Sequence, residues 1–199
     1  HGTVLVKNIR QGGYSNPNDL IAVGDTLFFK ADDGIHGREL WKSDGSENGT
    51  VLVKDIVNGS AGIMGVGTEN QAVIGDTLFF RADDGIHGRE LWKSDGTENG
   101  TVLVKDINPG SNTWGPLNAD VRDFNVIGET LYFFATTGYS GSVSQDLWKS
   151  DGTENGTVMI KQFHYIWELT VVGDTLFFDG KDENSTGNSL WKSDGTASG

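Results

Sequence analysis

The apolar residues of this chain fall in short runs, and pairs of turn-forming residues close each run. "LIAV" at 20–23 is followed by Gly24-Asp25, and "TLFFKA" at 26–31 leads to Asp33-Gly34. "RELWKS" at 38–43 is followed by Asp44-Gly45, and after Asn48-Gly49 comes "TVLVKDI" at 50–56. Runs of this length, rich in β-branched and aromatic residues, predict strands. Glycine takes positive φ freely and Asn or Asp tolerates it, so the intervening pairs predict tight turns. Tight turns join antiparallel neighbours, and four such strands make one meander. Helical periodicity is missing almost throughout, and only "QFHYIW" at 162–167 is locally ambiguous.

The same pattern is written four times. "VGDTLFF" at 23–29 recurs as "IGDTLFF" at 74–80, "IGETLYF" at 127–133 and "VGDTLFF" at 172–178. "LWKSDG" follows each, with its tryptophan at 41, 92, 148 and 191. "GTVLVK" stands at 2–7, 49–54 and 100–105, and as "GTVMIK" at 156–161. Repeats of this length signal stacked or radially arranged supersecondary units. "TLFF" is apolar on both faces, as a strand must be when a neighbouring sheet covers each side. A parallel solenoid would lack the hairpins, so a β-propeller fits better. The expected architecture is an all-β, four-bladed propeller with four-stranded antiparallel blades at about 18–56, 69–107, 122–162 and 168–199. The last blade has three strands of its own. "GTVLVKNI" at 2–9 is the missing fourth, so the N-terminal strand is expected to complete it and leave no loose edge.

The set "ELWKSDGT", "GTVLVKDI" and "VGDTLFF" resembles the ELWxxDGT repeat family of bacterial secreted and surface proteins. The likeness covers nearly the whole chain. It departs in the last two units, where the Glu of ELW becomes Asp146 and then Ser189. The resemblance implies an extracellular, propeller-like module and names no ligand.

Charge and composition narrow the chemistry. A formal charge of −13 repels phosphate backbones, which argues against a nucleic-acid partner. With no cysteine there are no disulfides, thiolate nucleophiles or Cys-based zinc sites. No apolar run approaches the ~18 residues of a membrane span. A chain opening at His1 reads as trimmed or processed. No Gly-x-Ser-x-Gly elbow appears, and the carboxylate pairs repeat with the turns, whereas an active site is usually singular. The chain therefore reads as no enzyme. "ADDGIHGRE" at 31–39 and 82–90 is the nearest approach to a metal site, with Asp32, Asp33, Asp83 and Asp84 as candidate calcium ligands and His36 and Glu39 beside them. Its spacing matches no EF-hand, so a hairpin loop is the first reading and calcium the runner-up. Beyond calcium no cofactor is implied. The repeated tryptophans and the aspartates after them read as inter-blade packing and turn formation.

Alternation along each meander sorts the loops into two sets. "VGDT" and "SDGTENGT" recur nearly unchanged at one end. The loops between second and third strands, and the linkers between units, fall at the other end and vary. That end gathers Trp114, Tyr139, Tyr165 and Trp167 with Asn112, Asp182 and Asn184. Aromatic rings stack on the C–H face of a sugar while amides and carboxylates bond its hydroxyls. Tyr165 and Trp167 stand two residues apart, so a strand there would turn both to one side. The first expectation is a secreted, non-enzymatic, lectin-like protein that binds carbohydrate on its variable face. The alternative is a structural or adhesion module that binds a surface protein, stabilised by calcium.

Overall fold

The computed structural model describes residues 2–59, 62, 70–138 and 144–198. Its strands follow the turn signals. The first sheet runs β1 (Asn18–Val23), β2 (Thr26–Asp32), β3 (Arg38–Ser43) and β4 (Val51–Lys54), in that spatial order. The second is β5 (Gln71–Ile74), β6 (Thr77–Asp83), β7 (Arg89–Ser94) and β8 (Val102–Lys105). A small hairpin, β9 (Ser111–Asn112) and β10 (Gly115–Pro116), sits in the next linker. The third sheet is β11 (Arg122–Ile127), β12 (Thr130–Thr137), β13 (Ser144–Ser150) and β14 (Val158–Phe163). The fourth holds β15 (Tyr165–Val172), β16 (Thr175–Lys181) and β17 (Ser189–Ser193). Every pairing is antiparallel. The described residues contain no helix long and apolar enough to cross a membrane.

The second strand of each unit divides its apolar side chains between two neighbours. Phe28 joins Val53 and Ile56 of the first sheet against Leu78, Phe80 and Trp92 of the second. Phe79, Leu91 and Val104 of the second sheet meet Leu131, Phe133 and Trp148 of the third. Tyr132, Phe134 and Phe163 of the third meet Ile166, Leu176 and Phe178 of the fourth. The unused face of the first sheet, with Phe29, Ala31 and Trp41, is partly covered by Ile9. Each fully buried Phe contributes about 1.5–3 kcal/mol. Trp92, Trp148 and Trp191 thus pack toward the preceding sheet, the inter-blade role expected of the repeated tryptophan, while Trp41 packs in the cluster with Ile9.

Polar contacts repeat at the same junctions. The ammonium of Lys54 donates to the carbonyls of Glu98 and Thr101 in the next unit, and Lys105 donates to that of Glu154. Lys93 reaches the carbonyl of Gly152, and Lys149 that of Gly195. These glycines stand in the "SDG" turns at φ of +85° and +80°. A Cβ on Gly152 would press to 3.0 Å from the Phe79 ring, and one on Gly195 would enter the Tyr132 ring. Glycine is therefore required twice, by backbone conformation and by the side chain that covers it. Asp44, Asp95, Asp151 and Asp194 accept the N–H and hydroxyl two residues on, the turn role expected of them.

Two expectations about the ends of the stack need correction. The predicted closure is not found. Residues 2–9 form no strand, and among the described residues β17 pairs with β16 alone. The N-terminal segment is held instead on the first sheet, where the Lys7 ammonium donates to the carbonyls of Glu47 and Thr50. The expected linker at 161–168 is not a loop either. β14 continues to Phe163 and β15 begins at Tyr165, because Phe163 and Ile166 both enter the core between the third and fourth sheets.

Both Gly152→Ala and Gly45→Ala should destabilise the protein, each paying for positive φ with about 1 kcal/mol. Gly152→Ala should lose a further ~1–3 kcal/mol through overpacking against Phe79, whereas a Cβ on Gly45 meets nothing within 4 Å. Urea unfolding of the two variants measures the difference.

Candidate functional site

The most developed surface feature grows from β15. Its pairing with β16 breaks register between Trp167 and Thr170, where Glu168 takes φ +58°. β1 and β11 carry like irregularities at Asp19 (+53°) and Asp123 (+56°). A bulge of this kind bends a strand and re-aims the side chains beside it. Ahead of the bulge, Ile166 points into the core while Tyr165 and Trp167 share the opposite side. Their ring centroids lie 6.0 Å apart at 47°. Trp167 remains 43% exposed. The Arg122 guanidinium, bonded to the carbonyl of Ile166, lies 5.0 Å from the Trp167 ring centre and steadies it.

A cavity of about 360 Å³ opens on the same end of the fourth sheet, lined by Lys161, His164, Asp182, Glu183 and Asn184 among others. The backbone N–H of His164 donates to the carbonyl of Lys181, which is the strand partner of Tyr165. The aromatic pair and the cavity are thus built on adjoining residues. Asp182 is buried and organises the cavity wall. It accepts bonds from the Ser185 hydroxyl and the Asn184 N–H, and its other oxygen lies 3.2 Å from the Lys161 ammonium. The bond from Ser185 and the nearby Lys161 outweigh desolvation and hold its carboxyl below the usual carboxylate range. Asp182 is therefore an anionic fixture, while His164, Glu183 and Asn184 are exposed and free to bond a ligand.

Of the expected ligand-binding set, the structure pairs Tyr165 with Trp167 and puts Asp182 and Asn184 on the wall of the cavity that starts at the neighbouring His164. Asn112 and Trp114 stand apart on the β9–β10 hairpin, where Asn112 accepts the Trp114 N–H and the indole is 93% exposed. Tyr139 lies outside the described residues. The candidate calcium ligands are engaged within their own loops. Asp32 accepts the Gly34 N–H and pairs with Arg10. Asp33 accepts from Ile35 and His36, and its second oxygen bonds the His36 ring. Asp83 and Asp84 repeat this with Gly85, Ile86 and His87. Among the described residues no three His, Asp or Glu side chains converge on a point where a metal ion could sit.

The glutamates of the ELW motif have a role that strand patterning does not reveal. Glu39 and Glu90 are fully buried. Glu39 accepts the N–H groups of Ile56 and Val57, and Glu90 those of Ile107 and Ala119. Each carboxylate thereby pins the chain as it leaves its fourth strand. Burial pushes Glu39 up to about 7 and Glu90 up to about 8. In the third unit the shorter Asp146 bonds the Thr137 and Ser144 hydroxyls instead. The only trace of this in the sequence is position: Glu39 and Glu90 stand two residues before Trp41 and Trp92, on the same side of the strand as these packing residues.

No protein-family profile matches the chain, and no curated protein matches it. Solved structures do. One structure of puromycin hydrolase aligns over 84% of this chain and 25% of its own, with a TM-score of 0.52 and 16% identity. A second covers 94% of this chain and 32% of its own, with a TM-score of 0.52 and 14% identity. The chain thus spans a quarter to a third of the length of these neighbours. The likeness is one of fold, and the fold is all-β and propeller-like.

Stability should be greatest near pH 5 and fall as pH rises to 8. A carboxyl whose folded pKa lies above its unfolded value favours folding below the unfolded pKa, and that benefit is lost as pH climbs through the folded one. Glu39 and Glu90 act in this window. His36, raised by its bond to Asp33, acts in the same direction. Asp44, Asp95 and Asp151, lowered by bonds from the following hydroxyls, withdraw their support only in stronger acid. Replacing Glu39 and Glu90 by Gln should flatten the slope between pH 5 and 8 in urea titrations, whatever the absolute stability of the variants. Because the loop aspartates already bond their own hairpins, melting temperatures in EDTA and in excess calcium should agree.

Proposed function

We propose that the protein is an extracellular, non-enzymatic carbohydrate-binding module that uses the variable-loop end of a propeller-like stack. The observation that carries this reading is the exposed Tyr165–Trp167 pair beside the polar cavity of His164, Asp182, Glu183 and Asn184. A pyranose has one apolar C–H face and a rim of hydroxyls. Trp167, backed by Arg122, offers a rigid surface for the first. The exposed amide, carboxylate and imidazole offer donors and acceptors for the second. The site lies where the third sheet, through Arg122 and Lys161, meets the fourth, and the other units do not repeat these residues. It is therefore a single site and not one per blade.

The acidic surface and the buried Asp182 disfavour anionic ligands and favour neutral or basic sugars. Adhesion to a protein partner is the second reading. The fully projecting Trp114 favours it, because an exposed indole on a hairpin tip suits a pocket on another molecule.

A glycan array should return hits among neutral or amino sugars, and the ligand found should change tryptophan fluorescence. Trp167→Ala should weaken binding about tenfold or more, equivalent to the loss of ~1.4 kcal/mol. Trp114→Ala should leave it unchanged. An array without hits, together with unaltered fluorescence, would remove the carbohydrate reading.

A further inference from the structure

The chain contains four Asn-Gly pairs, at 48–49, 58–59, 99–100 and 155–156. Three of them belong to the repeated loop "SDGSENGT" or "SDGTENGT", and the pair Asn58-Gly59 lies outside it, in the chain that leaves the first sheet. All four asparagines are exposed, so exposure does not distinguish them. Glycine has no Cβ to shield its amide nitrogen, and that nitrogen can reach the side-chain Cγ of the asparagine before it. Attack needs an N–H that can lose its proton and a backbone that can bring the two atoms together.

In the three repeat loops neither condition is met. The Gly49 N–H donates to the Ser46 hydroxyl, that of Gly100 to Thr97 and that of Gly156 to Thr153, each at 2.9 Å. A carboxylate, Asp44, Asp95 or Asp151, stands against the Cα of the same glycine, where it would repel an anion forming on the nitrogen. The flanking backbone is held as well. The Glu98 carbonyl accepts from Lys54 and the Thr101 N–H, and the Glu154 carbonyl from Lys105 and the Thr157 N–H. The pair at 58–59 has none of these restraints. Among the described residues no hydrogen bond reaches the Asn58 side chain or the Gly59 N–H. Gly59 is exposed at φ +99°, and a Cβ there would meet nothing within 4 Å. Glu39 fixes the Ile56 and Val57 N–H groups just ahead of it, so the turn begins from a fixed point.

We infer that Asn58 is a site of spontaneous deamidation, the Asn-Gly pair that the fold leaves reactive while it protects the three in the repeat. The Gly59 nitrogen gives up its proton and bonds to the Asn58 Cγ. The Cγ–Nδ2 bond breaks, and ammonia leaves carrying the proton that glycine gave up, which leaves a succinimide ring. Water then opens one of the two C–N bonds of that ring and yields aspartate or isoaspartate at position 58. Water is the sole co-reactant, and no oxidant or reductant takes part. A neutral amide becomes a carboxylate on an already acidic chain. The isoaspartate route also adds a methylene to the main chain directly after the residues that Glu39 anchors. The bonds that shape the repeat loop thus shield its own asparagines, and the one pair outside the repeat lacks that shield.

Trypsin separates the four positions, because cleavage after Lys and Arg places them in different peptides, 43–54, 55–81, 94–105 and 150–161. The folded chain, warmed at mildly alkaline pH and then digested, should show by mass spectrometry the amide-to-acid exchange at position 58. Conversion there should run at least about tenfold faster than at 48, 99 or 155, the factor expected where a hydrogen bond must first be broken. In urea that unfolds the chain, all four positions should convert at like rates. Thr97→Ala, which frees the Gly100 N–H, should speed conversion at 99 about tenfold and leave 155 unchanged, with the circular dichroism spectrum retained. Equal rates at all four positions of the folded chain overturn the inference, as does a repeat position that converts ahead of 58. A position 58 that converts in urea and stays intact in the folded chain overturns it too.

Discussion

The structure depends on burial of both faces of one short strand. "TLFF" sends its leucine and second aromatic toward the preceding sheet and its first aromatic toward the next, so no sheet in the stack can be stable alone. A single antiparallel sheet would leave half of these rings in water. The unit of stability is therefore the junction, and the chain is a series of junctions in which each sheet serves as floor for one and roof for another. This constraint explains why glycine is fixed under Phe79 and Tyr132, and why a lysine from one unit ends on carbonyls of the next. The polar contacts add register to an attraction that has no direction of its own.

The same constraint leaves the two end sheets unlike the others. Each has one face built to be covered. The first is partly roofed by Ile9 and the segment that carries it. On the fourth, Leu190 is exposed, and among the described residues β17 pairs with β16 alone.

The candidate site lies where repetition fails. The third and fourth units lose the ELW glutamate, and the chain between β14 and β15 shortens to His164 alone. With no linker to fill the space, Tyr165 and Trp167 emerge directly from a strand, and the loop after β16 folds on Asp182 to form a cavity beside them. In the first two units buried glutamates instead tie down the chain beyond the fourth strand, at Ile56 and Val57 and at Ile107 and Ala119.

The sequence by itself determined the strands, their antiparallel order and the inward role of the repeated aromatics. These follow from local alternation and from turns whose glycine and aspartate leave the backbone few choices. It also placed Tyr165 and Trp167 on one side of a strand, because side-chain direction has period two. It did not reveal that Glu39 and Glu90 bond the departing backbone, that Trp114 rides a hairpin away from the other aromatics, or that residues 2–9 rest on the first sheet and leave β17 open. Those outcomes depend on the angle and distance between sheets, which sum over many small packing terms along the stack. Local pattern fixes what each strand wants to bury, and only the assembled stack decides which surfaces can reach one another.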